Sequence, residues 1–215
     1  VRRKFMNLNS AYRIKDKAGE ETADVMTPKA KLLYPNLFEA TLMKGEKDPE
    51  RARYGTTLLF HKSADLKAIQ DAVLAAATDK FGAKLKETKW KKPFIKVTED
   101  DQPKIWRRLV SAGIDPNDFP VMIRLASKLA PSVRAPNGQK VEDEDQVYEG
   151  RWARASIRAF AYTHATGGNG VSLGLGNVQL LDNDDPLPRG GGGMGGDEFE
   201  AVDTGGEGGN ASELF

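Results

Sequence analysis

The chain cannot fold as one body along its whole length. Residues 182–215 hold nine acids (Asp182, Asp184, Asp185, Asp197, Glu198, Glu200, Asp203, Glu207 and Glu213) against a single base, Arg189, together with ten of the 22 glycines. A segment so charged and so poor in large apolar side chains cannot bury enough surface to offset its chain entropy. It is expected to be a Gly-rich, acidic, disordered tail. Residues 1–181 hold the other 31 bases against 22 acids, so a body of net +9 faces a tail of net −8 behind an overall formal charge of +1. A basic body carrying a flexible acidic segment has the charge layout of a protein that binds a polyanion and holds a competitor for it on the same chain.

The body is long enough for one domain with a full core. Cysteine is absent, which excludes disulfides, thiolate metal sites and a cysteine nucleophile and fits a reducing compartment. No apolar run approaches the roughly 20 residues that span a bilayer, and Val1-Arg2-Arg3-Lys4 is not followed by the apolar stretch of a secretory signal. The expectation is a soluble protein of the cytoplasm with no membrane partner; a first residue of Val suggests that a few residues precede it.

Residues 1–29 are polar, basic and aperiodic, and are expected to form an N-terminal arm with one short strand. A β-rich run over 30–43 predicts a first strand with a bulge or edge at Pro35, which cannot donate to a ladder. Residues 53–61 predict a second, with Tyr54, Thr56, Leu58 and Phe60 on one face. Ser63 is expected to cap a helix with Asp65 in its first turn, apolar spacing Leu66, Ile69, Val73 and Ala76, and a stop at Gly82. Residues 84–97 read as extended, and a short helix runs from Pro103 to a stop at Gly113. Alternation of Val121, Ile123 and Leu125 predicts another strand, Asn137-Gly138 a hairpin turn, and 151–164 and 171–181 a closing strand pair. The fold class is mainly β: a small closed or partly closed barrel of five principal strands with one or two helices, domain 1–181, then the tail; the OB-like type follows from the resemblance given below.

Successive side chains of a strand point to opposite faces. The odd positions of 151–164 (Ala153, Ala155, Ile157, Ala159, Ala161) suit a packed interior, while the even ones (Trp152, Arg154, Ser156, Arg158, Phe160, Tyr162, His164) interleave aromatics with bases. A solvent-facing strand gains nothing in packing from that mixture, whereas stacked nucleobases and phosphates call for it. The alternative, with the aromatics as core, would bury Arg154 and Arg158 beside them at large cost. Gly174 and Gly176 leave room on the next strand for a backbone, a ligand or a cross-strand aromatic. Lys89, Trp90, Lys91 and Lys92 form a second basic and aromatic segment, equally compatible with a solvated loop and with DNA contact. Catalysis is not expected. Neither His61 nor His164 sits in a metal-binding spacing, no phosphate-binding loop occurs, and the glycines of 190–196 lie in the tail rather than between a strand and a helix. Neither metal nor cofactor is implied.

Four stretches resemble a known family: Leu33-Tyr34-Pro35-Asn36-Leu37-Phe38, the run from Tyr54 to Lys62, the run from Tyr148 to Tyr162, and Gly170-Val171-Ser172-Leu173-Gly174-Leu175-Gly176-Asn177-Val178-Gln179. They are similar to the bacteriophage single-stranded-DNA-binding proteins first catalogued as a domain of unknown function and associated with an OB-type barrel; residues 84–119 depart from that pattern. The resemblance implies that the protein coats single-stranded DNA without marked sequence preference in phage replication or recombination, inside the infected cell. On this reading Tyr34, Tyr54, Trp152, Phe160 and Tyr162 stack on bases, while Arg151, Arg154, Arg158 and the lysines around Trp90 meet phosphates. The tail resembles the acidic C-termini of such proteins, so Glu213-Leu214-Phe215 is expected to be a peptide ligand for replication or recombination proteins. The rivals are a phage structural or assembly module, an RNA binder and a recombination nuclease.

Overall fold

The computed structural model describes residues 7–42, 45–165 and 168–188. Its strands are β1 (Tyr12–Lys15), β2 (Glu21–Met26), β3 (Ala30–Thr41), β4 (Arg53–Phe60), β5 (Trp90–Lys91), β6 (Phe94–Lys96), β7 (Val121–Ser127), β8 (Val133–Arg134), β9 (Trp152–His164) and β10 (Gly168–Leu180), with helices α1 (Lys67–Phe81) and α2 (Pro103–Ser111). Neighbour pairing runs β9–β3–β4–β7–β10, and β10 returns to β9, so these five principal strands close into a barrel. All pairs are antiparallel except β7 with β10. That is the expected OB-like barrel, with α1 between its second and third strands.

Alternation builds two cores. Leu32, Leu58, Phe60, Ile123, Leu125, Ala153, Ala155, Ile157, Val171 and Leu173 point into the barrel, where Ile69, Ala72, Val73 and Ala77 of α1 join them. The neighbours Leu33, Leu59 and Met122 point outward and meet Ile105 and Leu109 of α2, with Val97, Phe119 and Leu187. The doubly buried strand centres at 32–33 and 58–59 follow from this second layer.

Several local expectations change. The arm is a hairpin of two strands, and its second strand pairs with β9. Ser63 does not cap α1: its hydroxyl lies 2.8 Å from His61 Nδ1, and Asp65 Oδ1 instead accepts the Lys67 N–H at 2.9 Å. Residues 84–97 are not continuously extended, since Gly82–Lys86 is a 3₁₀ turn before the short β5 and β6. The bulge at Pro35 is present: the β3–β4 register shifts between Leu33 and Asn36, and Tyr34 takes the left-handed region at φ +49°. Gly82, Gly113 and Gly138 have the positive φ that their turns require.

The expected tail boundary at 182 moves. Leu187 is only 4% exposed in the outer core, and Lys31 donates to Asp184 Oδ2 at 2.6 Å. Residues 182–188 therefore belong to the packed body. What lies beyond, 189–215, carries six acids against Arg189; the tip residues Glu213, Leu214 and Phe215 fall outside the described residues.

Candidate nucleic-acid interface

On β9 the odd positions 153, 155 and 157 are buried and the even positions face outward, as the parity reading requires. Phe160 is 50% exposed and lies against Gly174, where an added Cβ would be 3.7 Å from its ring. Tyr162 lies across Gly170 in the same manner, since a Cβ there would come within 2.5 Å of the phenol oxygen. The Gly174 gap is thus filled by a cross-strand aromatic, and that at Gly176 by Ser156. Gly170 also pairs with Lys91, which brings the exposed lysine of β5 into the row of Tyr162. Lys89 and Lys92 are exposed beside it, whereas Trp90 packs toward the barrel interior with Lys92 5.9 Å from its ring.

Around the barrel the register continues without a break: Arg158 pairs with Gly174, Gly174 with Ala126, Ala126 with Gly55 and Gly55 with Asn36. At about 4.8 Å per strand, the wall from Gly174 to Asn36 extends about 14 Å. Its floor is made of glycine and alanine, so it is low enough for a chain to lie across. Gly55 has no space for a Cβ, which would stand 2.7 Å from the Leu125 carbonyl oxygen. Phe160 rises at one end of the floor. At the other end Tyr34 is 48% exposed and stands where three cavities of about 690, 250 and 410 Å³ meet. Arg53, Tyr54, Thr57 and Arg124 line the third of these. Arg124 is exposed, and among the described residues nothing pairs with its guanidinium. Tyr54 is half-buried opposite Ser127.

Other expected contacts are held by partners within the protein. Arg151 is 8% exposed and donates to the carbonyls of Gln146 and Leu181 at 2.7 and 3.4 Å. It ties the start of β9 to its surroundings and offers no face to a phosphate. Trp152 is half-buried in the outer core: its ring lies tilted 6.1 Å from that of Phe119 and under Lys29 and Lys31 at 5.1 and 4.7 Å, and it donates its indole N–H to Asp184 at 2.9 Å. The structure therefore separates Trp152 from Phe160 and Tyr162, although one parity puts all three on the same strand face. Arg154 donates to Gln179 at 2.9 Å. Arg158 forms a two-pronged pair with Asp24 at 2.7 and 2.9 Å that raises its pKa through that hydrogen bond and charge; it keeps 61% of its side chain exposed.

The sequence reading missed Arg124 and the floor formed by Gly55 and Ala126. The signal was present, because a strand with Val121, Ile123 and Leu125 inward must point Met122, Arg124 and Ala126 outward. Among the described residues no group of three or more His, Asp or Glu could hold a metal ion, and no helix is long and apolar enough to cross a membrane.

The family model for the single-stranded-DNA-binding protein of Enterobacter phage Enc34 matches residues 23–208. The chain belongs to that family. The single-stranded-DNA-binding protein of bacteriophage Enc34 in complex with single-stranded DNA is similar to the chain at 16% identity and TM-score 0.60, over 77% of this chain and 90% of that one. The same protein in another structure gives 17% and 0.55 over 86% and 94%. The single-stranded-DNA-binding protein gp2.5 of bacteriophage T7 gives 16% and 0.53 over 87% and 98%. At such identities the likeness establishes the barrel. No curated protein sequence matches the chain.

Proposed function

We propose that the protein coats single-stranded DNA, without marked sequence preference, during phage DNA replication or recombination in the cytoplasm of the infected bacterium. The observation that carries this reading is the continuous band across β9, β10, β7, β4 and β3, set in a chain of this family. Exposed Phe160 and Tyr34 flank a glycine and alanine floor, with Arg124, Arg158 and Lys91 beside it. The outer face of the second and third barrel strands, here β4 and β7, is where such barrels receive oligonucleotides. Flat aromatics accept any base, and bases along a groove follow the backbone without reading sequence. The protein acts by binding, not by catalysis. The acidic residues beyond 188 compete with DNA for the basic band, and the tip Glu213-Leu214-Phe215 recruits replication or recombination proteins.

Fluorescence titration with oligo-dT, blunt duplex and oligo-U over a range of salt tests the reading. Oligo-dT should bind more tightly than duplex, with log affinity falling about 0.7 per log salt for each phosphate neutralised. Equal affinity for duplex, or affinity independent of salt, would refute it, and a preference for oligo-U would assign the band to RNA.

A further inference from the structure

We infer that residues 182–188 form a wall of the DNA site, which holds Tyr34 in its binding pose; this rests on the proposed single-stranded-DNA function. Tyr34 is the one described non-glycine residue with positive φ, a conformation that side chains with a Cβ disfavour. Something must hold it there. Its N–H donates to Glu149 Oε1 at 2.8 Å. The same carboxylate receives both Nη groups of Arg108, at 3.2 and 2.6 Å, and the guanidinium lies 5.6 Å from the Tyr34 ring. Arg108 is in turn fixed by the docked segment, since its Nε donates to the Pro188 carbonyl at 2.6 Å. The Leu187 N–H donates to the Glu149 carbonyl at 2.9 Å, while the leucine side chain fills the outer core.

The seat for this segment is built into the body. Gly150 has φ +96°, and a Cβ there would stand 2.9 Å from Leu187 N and 3.0 Å from the Asp185 carbonyl oxygen, so a side chain would push the segment away. The segment therefore acts on DNA in the sense opposite to the acids that follow it. Docking presents Tyr34 and strengthens binding, whereas 189–215 compete and weaken it. Leu187, Glu149 and Arg108 are positioning residues that act through Tyr34.

The test is a double-mutant cycle in the full chain, read by oligo-dT affinity over a range of salt whose upper end screens the distal acids. Leu187→Ala should weaken binding about five-fold and leave the salt slope unchanged, because no phosphate contact is lost. Leu187→Met should restore it. In a Tyr34→Ala background the same substitution should change affinity less than about two-fold, the sign of coupled sites. Glu149→Gln provides a second variant that keeps the apolar packing and should show the same dependence on Tyr34. Tighter binding by Leu187→Ala, or an equal loss with and without Tyr34, would overturn the inference while leaving single-strand binding intact. If the unmodified protein fails to bind oligo-dT, the functional proposal itself falls.

Discussion

Phe160 and Trp152 share a strand and a parity, yet their surroundings predict opposite consequences of truncation. Phe160 is half-exposed and lies against Gly174. Fully burying a phenylalanine stabilises by about 1.5–3 kcal/mol, so Phe160→Ala should cost about 1 kcal/mol, or about 2–4 °C in melting temperature for a domain of this size. Its effect on binding should be larger, because a base stacked on an aromatic is worth about 1–3 kcal/mol. Affinity for oligo-dT should fall between about five-fold and somewhat over a hundred-fold. Trp152 instead packs on Phe119 and beneath Lys31, with its indole N–H held by Asp184. Deleting a buried tryptophan costs about 3–5 kcal/mol. For one half-buried, Trp152→Ala should cost about 2 kcal/mol and lower the melting temperature by about 4–8 °C. Thermal denaturation and fluorescence anisotropy on the same preparations separate the two. A Trp152→Ala protein that melts normally but binds poorly, beside a Phe160→Ala protein that binds normally, would show that the DNA path lies at the other end of β9 and that the band is misplaced.

Arg124→Ala should weaken oligo-dT binding and reduce the log–log salt slope by about 0.7, the signature of one lost phosphate contact; an unchanged slope would remove Arg124 from the path. Ending the chain at residue 188 should tighten binding at low salt, where the six acids beyond are least screened; no gain there would leave those residues as a tether only. Burial pushes the Asp184 carboxyl up, but the hydrogen bond and charge of Lys31, the Asp185 N–H and the Trp152 indole together bring it below the ordinary aspartate value of 3.8. Its stabilising contribution is thus in place above that value and lost as pH falls through the lowered one. With Trp90 and Trp106 replaced by Phe, the Trp152 emission should stay constant down to about pH 4 and change below it; a transition near neutrality would show that another group controls the docking.

What was legible in the sequence was whatever a two-residue or 3.6-residue period encodes. The barrel strands, both helices, the inward face of β9 and the bulge at Pro35 follow from such local patterns, and each survives in the structure. The errors share one cause, which is that parity assigns a side chain to a face without saying what covers that face. Trp152 and Phe160 were indistinguishable by period. They differ because α2 and residues 182–188, far apart in sequence, converge over the first and leave the second open. The sequence makes Arg151 an expected phosphate ligand beside Trp152, but its partners are carbonyls at Gln146 and Leu181 that no spacing rule relates to it. The same blindness placed the tail boundary too early. Composition marks Asp182, Asp184 and Asp185 as part of an acidic run, yet Asp184 pairs with Lys31 and Leu187 joins the outer core with Leu33 and Leu109. One of these acids, Asp184, is therefore paired within the body, and six acids lie beyond Pro188. If 189–215 form the coil that their composition predicts, their r.m.s. reach would be about 30 Å. Pro188, the last described residue, is held by Arg108 beside Tyr34, so the reach of such a coil would be centred on one end of the band. Competition should accordingly be strongest at the Tyr34 end and weakest near Phe160 and Tyr162.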